Sequence, residues 1–267
     1  MTGLAVIFAV IVWFLSTGLI LWLVGAPRRM HGGTMIGASV ALAASVAGLA
    51  AIAPHATPAG AFAGFLLGIV VWGWHETSFL LGFVTGPRVG ECPRGLSGWR
   101  RFVAASETVI FHELAIAATA LLLIMLTWRA PNQVGVWTYL LLWGMRLCAK
   151  ANIFVGAPHV NVEFLPPHLA HLKSYFGPKR LGAFFFVSTA SIAGASGLLV
   201  AAAAGASGGY EAAAMTLLAT LAILAVLEHL FMALPVRDAM LWAWARPAAA
   251  QSGAPDTPCA RPGGSDA

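Results

Sequence analysis

The chain of 267 residues is 59% hydrophobic and only 9% charged, with a mean hydropathy of +0.82, whereas about a quarter of the residues of a soluble domain are charged. That excludes a soluble globular domain and points to a polytopic membrane protein surrounded by the lipid bilayer. The formal net charge of +5 comes with no basic run and no nucleic-acid fold motif, so we expect no nucleic acid as a partner and read the basicity as membrane topology.

The N-terminal apolar run lacks a basic n-region and a small-residue cleavage site, and it is too long for a signal peptide, so it is expected to remain as a span. A span needs roughly 20 mostly apolar residues. On that criterion seven transmembrane helices are expected, over residues 4–24, 34–53, 61–83, 102–128, 134–151, 181–204 and 211–234. Gly and Pro mark the junctions in GAPRRMHGG, APHATPAG, TGPRVGECPRG, RAPNQVG and GASGG. The expected fold class is an all-α polytopic membrane helix bundle. Its transmembrane domain covers 1–244, with a cytoplasmic loop over 152–180, and a disordered tail rich in Ala, Pro, Gly and Ser covers 245–267. Cys92, Cys148 and Cys259 are far apart and form no CxxC pair, which argues against a disulfide framework or a thiolate metal knuckle.

Positive loops resist translocation. Of the 15 Lys and Arg residues, only Arg129 falls on one side of the expected bundle. All the others, including Arg28, Arg88, Arg101, Arg146, Lys150 and Lys173, fall on the opposite side. This places the N-terminus outside and the C-terminus in the cytoplasm.

With that topology, three His/Glu pairs share the cytoplasmic half of the membrane. At 1.5 Å per helical residue, His75 and Glu76 lie ~10 Å deep, His112 and Glu113 ~15 Å deep, and Glu228 and His229 ~9 Å deep. Ionisable side chains at such depth cost on the order of 2.5 kcal/mol or more each and mark functional sites. The long loop adds His159, Glu163, His168 and His171 on the same side. A short helix starting near Pro167 would put His168 and His171 on one face. Imidazole with carboxylate suits iron or zinc, so His75, Glu76, His112, Glu113, His168, His171, Glu228 and His229 are the candidate metal ligands. No HExxH or other named metalloenzyme motif accompanies them. Two other readings stay open: the pairs serve as polar glue between helices, or a histidine is the axial ligand of a tetrapyrrole such as bacteriochlorophyll. Arg146 and Lys150, one turn apart on the fifth span, and Asn152 near them, are candidate substrate-binding residues that would neutralise the carboxylates or hold a propionate. As snorkelling anchors the two cations need no further role. His31 and His55 are expected to have no role, and the Trp residues to form interfacial belts.

The stretches HETSFLLGFVTGP from His75, FHELAI from Phe111, PNQVGVWTYLLLWGMRLCAKANIFVGAP from Pro131 and EFLPPHLAHLKSYF from Glu163 closely resemble the PuhE family of phototrophic bacteria, photosynthetic complex assembly protein 2. The resemblance implies a multi-pass protein of the bacterial inner or intracytoplasmic membrane. It also implies action in assembling the reaction-centre and light-harvesting complex, with an effect on bacteriochlorophyll levels. The implied partners are reaction-centre and light-harvesting subunits or pigment-synthesis enzymes. No catalytic mechanism comes with it. The alternative from a different class is a membrane metal-dependent enzyme acting on a tetrapyrrole or another lipophilic substrate. A secondary transporter is disfavoured because no inverted repeat is evident.

Overall fold

A computed structural model of the chain describes residues 2–160, 162, 165–236 and 238–245. Among these residues every regular element is helical. The α-helices are α1 (Thr2–Val24), α2 (Arg28–Ile52), α3 (Pro58–Leu80), α4 (Gly98–Ser106), α5 (Ile110–Leu126), α6 (Val134–Val155), α7 (Ala183–Ala204) and α8 (Gly209–Ala233). Two 3₁₀ segments, Pro167–Tyr175 and Asp238–Ala245, complete the set. The expected disordered tail and Glu163 lie outside the described residues, except that Ala245 closes the second 3₁₀ segment.

Five helices, α1, α2, α3, α7 and α8, are long and apolar enough to cross a membrane, and the bent pair α4 and α5 raises the number to six if it forms one span. The sequence count of seven also included α6, whose second half carries Arg146 and Lys150. Burial separates the roles of these helices. Half of the α3 window and 61% of the α8 window are inside the protein, against 17% for α1, α2 and α7. α3 and α8 are therefore the central helices, and the others turn most of their surface outward.

α3 begins at Thr57, whose hydroxyl accepts the Gly60 N–H at 3.0 Å, with Pro58 as the first helical residue. Its Gly64 and Gly68 then allow α6 to approach backbone to backbone. A Cβ on Gly68 would stand 2.7 Å from the Gly135 carbonyl oxygen, the small-residue contact that membrane helices use to pack closely. The junction is fixed at its end by Asn132, which donates from Nδ2 to the Gly60 carbonyl at 3.0 Å and from its backbone to the Ala53 carbonyl at 3.0 Å. Tyr210 adds its hydroxyl to the Pro131 carbonyl at 3.0 Å. This registers α6 on α3 all the way to their other ends.

The single span expected over 102–128 is instead broken. α4 and α5 meet at 66°, because three partners take the backbone groups the ladder would have used. The His112 N–H donates to the Thr85 carbonyl at 2.9 Å, and the Arg88 N–H donates to the Glu107 carbonyl at 3.3 Å. Thr108 turns its hydroxyl onto the Ala105 carbonyl at 2.6 Å. Gly86 is packed so closely on Glu107 and Thr108 that a side chain there has no room. The TGP stretch after α3 thus inserts into the start of α5 and sets the height of His112.

Candidate functional site

α3 delivers Trp72, His75, Glu76 and Phe79 to one end of the bundle, α5 delivers His112 and Glu113 in its first turn, and α6 delivers Tyr139, Trp143, Arg146 and Lys150. The α6 positions repeat at four, three and four residues, which keeps all four on one helical face. Sequence reasoning weighed only Arg146 and Lys150 there and assigned Trp72 and Trp143 to interfacial belts. The face spacing was the signal that placed Trp143 and Tyr139 at the site. Trp72 is buried edge-on to Tyr139, with ring centroids 5.8 Å apart, and is part of the core.

The carboxylates are neutralised across the helix interface. Arg146 Nη2 lies 2.9 Å from Glu76 Oε2. Lys150 Nζ lies 2.5 Å from Glu113 Oε1, and Trp143 Nε1 donates to Glu113 Oε2 at 3.0 Å. The Lys150 ammonium also stands 5.6 Å from the Phe79 ring centroid. Tyr139 donates its hydroxyl to the Ile116 carbonyl at 3.1 Å, tying α6 to α5.

Between these pairs sit the two imidazoles. His75 is 1% exposed and His112 is fully buried, and their ring centroids are 6.4 Å apart at 69°. Tyr139 lies 5.7 Å from His75 and Phe79 lies 4.7 Å from His112, centroid to centroid. All four ring nitrogens, and Glu76 Oε1, are buried without a hydrogen-bond partner in the protein. Such groups are rare in folded chains, and each costs about 1–3 kcal/mol.

The other sequence candidates stand elsewhere. Glu228 is exposed on α8 and accepts Trp13 Nε1 at 3.1 Å. His229 is buried, with Nδ1 3.0 Å from the Ala225 carbonyl. The 3₁₀ segment begins at Pro167 as expected, but it carries His168 over Gly82, at the turn that ends α3. Gly82 has φ +82°, and a Cβ there would lie 3.0 Å from His168 Nε2. Partial burial lowers the pKa of His168, and the charges of Arg28 and His31 act in the same direction. The backbone carbonyl of His171 accepts the Ser174 hydroxyl at 2.6 Å. His159, exposed, donates its backbone N–H to the Met232 carbonyl at 3.1 Å. Asn152 donates from Nδ2 to the Cys148 carbonyl and the Ser188 hydroxyl, at 2.9 Å and 3.0 Å, and so joins α6 to α7.

The eight proposed ligands therefore divide among separate places, and among the described residues no three His, Cys, Asp or Glu stand together as a ligand set. Glu113 has both oxygens engaged and Glu76 has one, which leaves two imidazoles and one oxygen where a closed zinc site takes four donors. His75 and His112 are enclosed between the helices, so the helices would have to part before either imidazole could reach a chlorin as axial ligand. What the arrangement offers is a charge-balanced cluster near one end of the bundle, with two buried imidazoles that have no hydrogen-bond partner in the protein.

Comparison with known proteins supplies the context. Over 248 residues the chain is 36% identical to the "Uncharacterized 30.4 kDa protein in puhA 5'region" of Rhodobacter capsulatus, covering 91% of this chain and 90% of that protein. No solved structure matches the chain. The family described as "Protein of unknown function (DUF3623)" matches residues 1–253, and this chain belongs to it.

Proposed function

We propose that the chain acts in assembly of the photosynthetic reaction-centre and light-harvesting complexes, influencing bacteriochlorophyll supply, and that His75 and His112 form its working site. It does so as a multi-pass protein of the bacterial cytoplasmic membrane, with seven spans if α6 and the bent α4–α5 pair are each counted. The N-terminus is outside, and the basic loops are in the cytoplasm. Its partners are reaction-centre or light-harvesting subunits, or enzymes of pigment synthesis. Two lines support the reading: the relative's position in the 5′ region of puhA, and the resemblance of HETSFLLGFVTGP and FHELAI to the PuhE family.

The observation that carries the site is the contrast between carboxylates and imidazoles. Polar glue between helices explains Glu76 and Glu113, which bond Arg146, Lys150 and Trp143. It does not explain His75 and His112, whose nitrogens bond nothing in the protein. A buried, unpaired hydrogen-bonding group held at a cost in stability is what a binding site keeps ready for a partner group. A metal-dependent reaction on a tetrapyrrole is the weaker reading, because the cations of α6 already hold the carboxylates it would need.

The test is deletion of the gene in a phototrophic host, followed by quantification of reaction-centre and light-harvesting complexes in isolated membranes. The reading expects both to fall and to return when the gene is restored. Unchanged complex levels in the deletion strain would remove the assembly role.

A further inference from the structure

α4 lies outside the site, and its axis departs from that of α5 by 66°. It is nevertheless firmly held. The guanidinium of Arg101 bonds the Phe154 carbonyl at 3.3 Å and the Tyr175 carbonyl at 2.6 Å, and it lies 4.3 Å above the Phe154 ring. Those bonds fix the α4 face that Arg101 and Ala104 turn inward. The opposite face, Trp99, Phe102 and Val103 at i, i+3 and i+4, is exposed, with Trp99 73% open. Trp99 and Phe102 stack with centroids 5.0 Å apart at 27°, so the aromatic face is pre-shaped.

Two features identify what covers it. First, the outward face of α5, next in the chain, is also apolar and exposed at Phe111 and Leu114, as expected of a face turned to lipid. Second, Arg100 on α4 and Arg94 in the loop leading into it are both exposed, and neither is in an ion pair among the described residues. Aromatic rings on the bilayer side with free guanidinium groups at the edge are the composition of a helix lying in the headgroup layer, where anionic lipid adds electrostatic attraction.

We propose that α4 is an interfacial helix that binds anionic phospholipid, with Arg94 and Arg100 on the headgroup phosphate and Trp99 and Phe102 among the upper acyl chains. The inference does not rest on the assembly role. It assigns to the TGPRVGECPRG loop and α4 a lipid preference that keeps the TGP insertion, and so His112, in register with the bilayer surface.

The test uses the full chain purified in mild detergent and titrated with phosphatidylglycerol or phosphatidylcholine, reading the midpoint of thermal unfolding against lipid concentration. Wild type should bind phosphatidylglycerol more tightly than phosphatidylcholine, and the difference should shrink in high salt. Each of Arg94→Gln and Arg100→Gln should weaken phosphatidylglycerol roughly 5-fold and leave phosphatidylcholine unchanged. Trp99→Ala should weaken both lipids, while Arg129→Gln, at the opposite end, should change neither. Because the readout is the difference between two lipids on one variant, a general loss of stability does not imitate the effect. Equal affinity of wild type for the two lipids, or an unchanged preference in the Arg94→Gln/Arg100→Gln double variant, would overturn the proposal.

Discussion

Lys150→Met is the perturbation whose size the structure constrains best. The Glu113–Lys150 pair is mostly buried, with side-chain exposures of 17% and 25%, and the carboxylate has one other donor, Trp143. Removing the cation leaves a buried negative charge with a single hydrogen bond, a situation worth about 3–5 kcal/mol. Residual exposure puts this case at the lower end, about 3 kcal/mol. Removing both charges is a different matter. Glu113→Gln keeps a carbonyl oxygen for Trp143, so the double variant Lys150→Met/Glu113→Gln should recover most of the loss. The assay is reversible unfolding in mixed micelles for wild type, both single variants and the double variant, arranged as a double-mutant cycle. A coupling of about 2 kcal/mol or more is expected; additive single costs would refute the buried-pair reasoning. The exposed Arg88–Glu107 pair supplies the contrast, and its cycle should give a coupling too small to resolve.

Asn132→Ala removes the side-chain bond to the Gly60 carbonyl and the acceptor of the buried Val134 N–H, which should cost about 1–3 kcal/mol in the same unfolding assay, with no effect specific to the site. Gly82→Ala should destabilise the turn under His168, because φ is +82° and a Cβ would press on the imidazole; limited proteolysis of the 82–97 loop should quicken. Burial lowers the His168 pKa, so the unfolded chain takes up this proton more readily. The contribution of His168 is therefore complete above its unfolded value, about 6.5, and declines as pH falls through that value toward the folded one. Comparing unfolding midpoints of wild type and His168→Gln from pH 7.5 to 5 checks this, and the variant should show the shallower acid limb.

The sequence made the membrane class and the helix pattern legible because apolar length is a property of the chain alone. The candidacy of the His75 to Glu113 stretch followed for a related reason: ionisable residues inside apolar runs are costly wherever they pack. What was not legible was which of them meet. Glu228 and His229 sit at a similar depth, yet α8 turns Glu228 outward to Trp13 and bonds His229 to its own backbone. Depth can be counted from a span end, but rotation about the helix axis is set by contacts between helices. The break between α4 and α5 was hidden for the same reason, because the groups that interrupt the ladder, Thr85 and Arg88, belong to another segment. The α6 face was readable in principle from the 139, 143, 146, 150 spacing, but only once Trp143 was taken as a site residue rather than a belt residue.

The sharpest trial of the His75/His112 site is a deletion strain of a phototrophic host complemented separately with wild type, His75→Ala, His112→Ala and His55→Ala. The readout is near-infrared absorption of the membranes, normalised to the amount of this protein. The site predicts that the His75 and His112 variants accumulate normally yet fail to restore the complexes, with similar severity, while the His55 variant matches wild type. Full restoration by both buried-histidine variants would contradict it and leave the two imidazoles as part of the packing of α3 on α5.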